Sequence, residues 1–455
     1  KSFLAMRIMK LSAWSSPWAS GRSRLPAVIS RIRGDKQEAQ SFLRELRALT
    51  PLNHFIRFEE YRWQNSDVNR KKFTEGIQNE MRHESFLELS DWYQSLGLLN
   101  ESLEVLSLAP ENPVVYYRSA WLQEQLKPGS GKGLIEKANR ISPALVFPFR
   151  ASSAQVLEWV ISKSPDWKPK YYLGLIHWSR NHVDRAKALF EQCGQPDFAP
   201  FYAARAELFA DDRYSADVRR AAELDPREWR YGKMLADHFV RQKDHSQALA
   251  VARDYDKRFP GDFRIDMLLA RTLLVNDEYK AASALLEKTN ILPYEGATDG
   301  RRMYREAWLM QAVDQIRSRK YTSALNSINK AKLWPENLGA GKPYDEDIDL
   351  RLEYYIEALA YEKNKQTAKA RQRYEAIVDD QKFGLKQMNG LVTALAMKKL
   401  NREDEGKALL REWAENEPEN KIARWASAVY EGETAETNLE GNPTFRILKE
   451  VARIK

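Results

Sequence analysis

Cysteine is almost missing from this chain: Cys193 stands alone among 455 residues. A single thiol excludes an internal disulfide framework and any zinc site built from several cysteines, though it does not fix the compartment. Histidine is scarce as well. There are six, and none forms a His-Glu-x-x-His pair. No apolar stretch approaches the ~18 residues needed to cross a bilayer. The opening "KSFLAMRIMKLSAW" is interrupted by Arg7 and Lys10 and makes a poor signal-peptide core. These features fit a soluble protein without a membrane span, with the cytoplasm placed slightly ahead of the periplasm. Residue 1 is lysine, so a processed chain or a piece of a longer one is expected.

An excess of one charge is also lacking. Lys and Arg number 72 against 64 Asp and Glu, and the resulting +8 is modest over this length. The basic clusters "NRKK" (69–72) and "RSRK" (317–320) are small and fall near predicted helix ends, where solvated cations are ordinary. A nucleic-acid binder concentrates its charge, so nucleic acid is not the expected partner.

Catalytic patterns fare no better. "KPGSGKG" (127–133) and "LGAGKP" (338–343) each place Gly before Lys, but Gly133 and Pro343 stand where a phosphate loop needs Ser or Thr for magnesium. The acidic run Asp345, Glu346, Asp347, Asp349 lacks the alternating ligands and glycine of a calcium loop, and reads instead as the start of a helix. No Gly-x-Ser-x-Gly elbow occurs. No enzymatic activity and no cofactor are expected of this chain; any catalysis would belong to a part not present in it.

What the sequence does have is a repeat. Small residues recur twelve positions apart: Ser90/Ser102, Gly174/Ala186, Ala236/Ala248, Ala270/Ala282, Ala312/Ala324, Ala358/Ala370 and Ala394/Gly406. Two antiparallel helices that cross closely need such residues, because a larger side chain would hold the backbones apart. Large apolar residues follow the second small one by four, as at Leu106, Phe190, Leu286 and Ile328. Prolines follow it by eleven or twelve, as at Pro113, Pro260, Pro293, Pro335 and Pro418, and are expected to end the helix. His177 takes a place that usually holds an aromatic, and Cys193 a packing position, so both are read as core. The phase resembles the tetratricopeptide repeat, with its period of about 34 residues.

The expected fold is therefore an all-α, tetratricopeptide-like superhelix of eight to ten stacked hairpins. A cap or upstream remnant takes 1–24, a continuous array takes 25–455, and an inserted loop interrupts it at 334–349. Projecting the phase places Lys168, Tyr171, Trp178, Arg230, Lys233, Arg264 and Arg271 on the concave face. Rings mixed with cations there suit a protein or peptide segment. The Lys-then-Asn clamp for chaperone C-termini is absent from the matching positions.

Several segments between the landmarks are richer than packing demands: "PLNHFIRFE" (51–59), "FPFR" (147–150), "WKPKYYLGLIHW" (167–178), "PDFAPFYAARA" (196–206) and "WPENLGAGKPYD" (334–345). Together they resemble the helical C-terminal half of large bacterial proteins that carry an N-terminal β-sandwich domain of unknown function, related to carbohydrate-active folds. The resemblance implies a scaffold that supports such a domain, or its oligomerisation, with Asn337, Lys342, Tyr344 and Asp345 as docking candidates on the inserted loop. No β-sandwich lies within these residues, so no catalytic residue is carried over.

Overall fold

Helices begin where the sequence offers a side-chain acceptor for their unpaired amides. Asp35, Asn53, Ser66, Asn112, Asp166, Asp244, Asp262 and Asn420 each accept from a backbone N–H of the first turn. The result is a computed structural model that describes residues 19–380, 388–433 and 442–454. Among these, every extended regular element is an α-helix, and the fold is all-α, of the tetratricopeptide-like solenoid class.

The chain divides into two units, Lys1–Asp211 and Asp212–Lys455. Among the described residues of the first, five antiparallel hairpins form from Ala19–Arg33 with Lys36–Leu49, His54–Trp63 with Asp67–Thr74, Arg82–Ser95 with Leu99–Ser107, Pro113–Leu126 with Lys132–Arg140, and Trp167–Ser179 with Val183–Glu191. Among the described residues of the second, five more pair Trp229–Arg241 with His245–Arg258, Phe263–Val275 with Tyr279–Leu286, Asp299–Arg317 with Tyr321–Ala331, Arg351–Lys363 with Thr367–Asp379, and Asn389–Lys399 with Glu403–Asn416.

All seven small pairs lie buried at these hairpin crossings. A Cβ on Gly174 would sit 2.8 Å from the Phe190 ring, and one on Gly406 would sit 2.9 Å from the Ala394 carbonyl. Where the pair is Ser90 and Ser102, the two buried hydroxyls satisfy each other at 2.7 Å. A second regularity runs through the same hairpins. The residue seven after the first small one turns the chain with positive φ: Gly97, Asn181, Lys243, Asp277, Arg319, Lys365 and Asn401. A left-handed residue there reverses the chain within one turn.

Three expectations are corrected. The Ala19–Arg33 helix crosses the proposed boundary at residue 24 and forms a full hairpin with its successor; residues 1–18 of the proposed cap lie outside the described residues. Pro113 starts a helix rather than ending one, because its missing N–H costs nothing in the first turn. In the acidic run only Asp349 serves the next helix, accepting from the Arg351 backbone N–H at 3.1 Å, whereas Asp345–Asp347 form an exposed 3-10 turn.

Candidate functional site

In the second unit the first helices of three successive hairpins, Trp229–Arg241, Phe263–Val275 and Asp299–Arg317, lie side by side. Together with the C-terminal helix Pro443–Val451 they enclose a groove of about 980 Å³. Its floor is apolar and contains Met267, Leu268, Leu274, Met303 and Met310. Unbranched methionines adapt to irregular ligand shapes more readily than branched side chains do. Nine Lys and Arg against five Asp and Glu line it, so the groove is cationic although the chain is nearly balanced.

Three of the seven concave-face candidates meet here: Lys233, Arg264 and Arg271. Their heads are held in place. Asp237 takes the Lys233 ammonium at 2.6 Å and the Arg271 guanidinium at 2.9 Å, joining two hairpins one repeat apart in phase. Arg264 grips Asp262 through two nitrogens, at 2.5 and 2.8 Å, and lies 4.4 Å from the Trp229 ring centroid. The hydrogen bonds from Arg264 hold the Asp262 carboxyl below the usual carboxylate range. Deeper in, burial raises the carboxyl of Glu306, which is ion-paired with Arg446 at 2.6 Å.

The other candidates separate from this site. Arg230 is exposed, pairs with Glu228 at 2.9 Å, and does not line the groove. In the first unit Tyr171 is only 4% exposed, so its placement on a binding surface is corrected: its ring is enclosed by Trp167, Phe190, Phe198 and Phe201. Lys168 is half-buried and donates to the Asn139 carbonyl, which gives it a local fastening role. Trp178 is half-buried.

The inserted loop is clasped to its neighbour. The Asn337 amide donates to the Leu286 carbonyl at 3.0 Å and the Thr289 carbonyl at 2.7 Å, and its own carbonyl accepts from Ile291 N–H. Asn337 thus clasps the loop to the neighbouring hairpin. Gly339 has φ +70, and a Cβ there would lie 2.9 Å from the Ile291 carbonyl, so this glycine is demanded by both turn and contact. Lys342 and Asp345 are exposed and pair with each other at 2.6 Å, and Tyr344 is exposed.

Sequence reasoning missed Arg302, Arg317, Arg446 and Lys449 of the groove. The first two could have been found by extending the Ala312 phase, but the last two arrive from a helix remote in sequence. Burial pushes the Cys193 thiol up to about 12, as expected of a packing residue. Among the described residues no cluster of three metal-capable side chains occurs, and no helix is long and apolar enough to cross a membrane.

No family model and no curated protein sequence matches the chain. Solved structures do. Yeast Tom70 is similar at 14% identity and a TM-score of 0.30, over 82% of this chain and 93% of that one. A chain of the APC/C hetero-tetramer Cut9–Hcn1 is similar at 11% and 0.31, over 94% and 98%. A tetratricopeptide repeat protein from Parabacteroides merdae is similar at 12% and 0.27, over 61% and 98%. These are likenesses of helical-repeat fold alone.

Proposed function

We propose that the chain is a protein-binding scaffold and that the groove of its second unit takes a protein segment carrying carboxylates and an apolar side chain. The observation that supports this most is the conjunction of a methionine-rich floor with a fixed cationic rim at Lys233, Arg264 and Arg271. Carboxylates of the segment meet cations whose geometry is already set, so little side-chain entropy is lost on binding. The apolar residue removes water from the floor.

The test is a titration of 15-residue peptides against the full chain. Peptides combining Asp or Glu with Leu, Phe or Met bind, and affinity falls as salt is raised, because rim charges are screened over ~8–10 Å. Replacing Lys233, Arg264 and Arg271 by Glu weakens binding at least ten-fold. Binding that ignores both peptide charge and these substitutions would remove the reading.

A second reading concerns the clasped loops. Leu292, Tyr294 and Tyr344 are 82%, 60% and 77% exposed there, more apolar surface than two connectors require. This face, with Lys342 and Asp345 beside it, is a docking surface for a further domain, such as the β-sandwich that the sequence resemblance implies. If replacing Leu292, Tyr294 and Tyr344 by Ser leaves association with such a domain unchanged, this second role is wrong.

A further inference from the structure

The concave phase changes character along the second unit. Six before, three before and one after the small residue stand Arg230, Lys233 and Asp237 in one hairpin, and Arg264, Met267 and Arg271 in the next. These side chains are exposed or half-buried. In the third hairpin the same offsets give Glu306, Leu309 and Val313, which are 1%, 0% and 0% exposed. In the fourth they give Leu352, Tyr355 and Leu359, at 0%, 5% and 3%. The positions switch from exposed to buried, and apart from Glu306 to apolar, at a face that the repeat fold alone would leave open to water.

The Pro443–Val451 helix packs on the Asp299–Arg317 helix at this place. It is capped by Asn442, whose side chain accepts from the N–H groups of Thr444 and Phe445. One side of it is fully buried: Phe445, Ile447, Leu448 and Val451 are all at most 2% exposed, and Phe445 lies 4.6 Å from the Trp425 ring. Its charges meet partners across 133 to 140 positions of sequence. Arg446 reaches Glu306 at 2.6 Å, and Arg317 donates to the Glu450 carboxylate and carbonyl at 2.7 and 3.0 Å. Glu306 is the informative member. Its neighbour Arg305 is engaged with Glu353, so without Arg446 a buried carboxylate would face the groove unpaired, an arrangement that costs far more than an exposed one.

We infer that this end of the groove is a helix-recognition site, and that the Pro443–Val451 helix is its resident occupant. Its external partner is an amphipathic helix of the same pattern, with a cation aligned to Glu306 and apolar residues at the positions of Phe445, Leu448 and Val451. The inference rests on the reading of this groove as a protein-binding surface, but it concerns a different end from the Lys233–Arg264–Arg271 rim. The resident helix lowers the groove's apparent affinity for any competitor by the fraction of time that it occupies the site. It also forms one wall of the open part, through Phe445, Arg446 and Lys449.

The test uses full-length chains and a labelled synthetic peptide spanning Asn442–Ile454. Three proteins are compared: wild type, Arg446→Glu, and the exchange Glu306→Arg with Arg446→Glu. Hydrogen exchange at 443–451 and far-UV circular dichroism report the resident helix and the remaining fold. In the Arg446→Glu chain the helix loses protection while the other hairpins keep theirs, and the peptide binds at least ten-fold tighter than to wild type. In the exchanged chain protection returns and peptide binding falls back. A peptide that itself carries Arg446→Glu binds the single variant at least ten-fold more weakly than the unaltered peptide. The inference is overturned if the single variant keeps full protection, if it binds the peptide no better than wild type, or if both peptides bind it equally. Failure of the rim substitutions to weaken acidic peptides would leave these outcomes untouched, so the two readings fail separately.

Discussion

Adding one methyl group at Gly174 sets two known effects against each other. In a helix interior Ala is favoured over Gly by ~1 kcal/mol. At this crossing, however, the new Cβ would lie 2.8 Å from two carbons of the Phe190 ring. That ring has nowhere to go. It is fully buried, stacked on Phe201 at 5.4 Å and edge-on to Tyr171 at 5.5 Å. Overpacking a core of this kind costs about 1–3 kcal/mol, and an immobile ring belongs at the upper end, so Gly174→Ala should lose about 1–2 kcal/mol net. In a Phe190→Leu background the clash is relieved and the same substitution should become neutral or mildly stabilising. A stacked array does not unfold in one step, so the assay is native-state hydrogen exchange read across Trp167–Ser179. If Gly174→Ala raised protection there by ~1 kcal/mol, helix propensity would have won, and close helix approach would not explain the small-residue pairs.

Four further outcomes are expected. Lys365→Gly should stabilise by roughly 0.5–1 kcal/mol, since φ is +59 at that turn, whereas Lys365→Val should destabilise; native-state hydrogen exchange across the hairpin in both variants checks this. Asn337→Ala should cost about 1–3 kcal/mol by stranding two carbonyls, while Lys342→Gln should stay within ~0.5 kcal/mol, measured the same way. With its thiol pushed up to about 12, Cys193 should react with a disulfide reagent at pH 8 about 10³-fold more slowly than a free cysteine, and normally only after unfolding. Burial holds His54, His177 and His238 below the ordinary histidine range. The unfolded chain therefore binds more protons just below pH ~6.5, so their contribution is complete above that value and is lost as pH falls through the folded-state values. Urea midpoints should drop between pH 7.5 and 5.5, and replacing all three by Asn should flatten that dependence.

The hairpins that sequence reveals are those in which a close crossing admits only small residues, since that constraint leaves a mark at fixed spacing. The Pro113–Leu126 and Lys132–Arg140 hairpin left none. There the close approach is between Gly131 and the Ala120 carbonyl, 2.6 Å from where a Cβ would stand, and the twelve-residue rule does not register it. For the candidate site, phase projection names positions on a face but cannot say what covers that face. Lys233, Arg264 and Arg271 line the groove because the facing side stays open, whereas Tyr171 is enclosed by Phe198 and Phe201 of the following segment. Arg446 and Lys449 were invisible for a related reason. Their place depends on a helix that docks on residues more than a hundred positions earlier, and no local pattern encodes that pairing.

The most direct test of the central claim places a photo-crosslinking amino acid at Met267, on the groove floor, and separately at Lys280 and at Tyr344, in the full chain within its own cells. Position 267 should give a protein adduct that disappears when Arg264 and Arg271 are replaced by Glu, and position 280 should give none. Adducts from 280 or 344 with none from 267 would contradict the claim, and would move the working surface of this protein away from the groove.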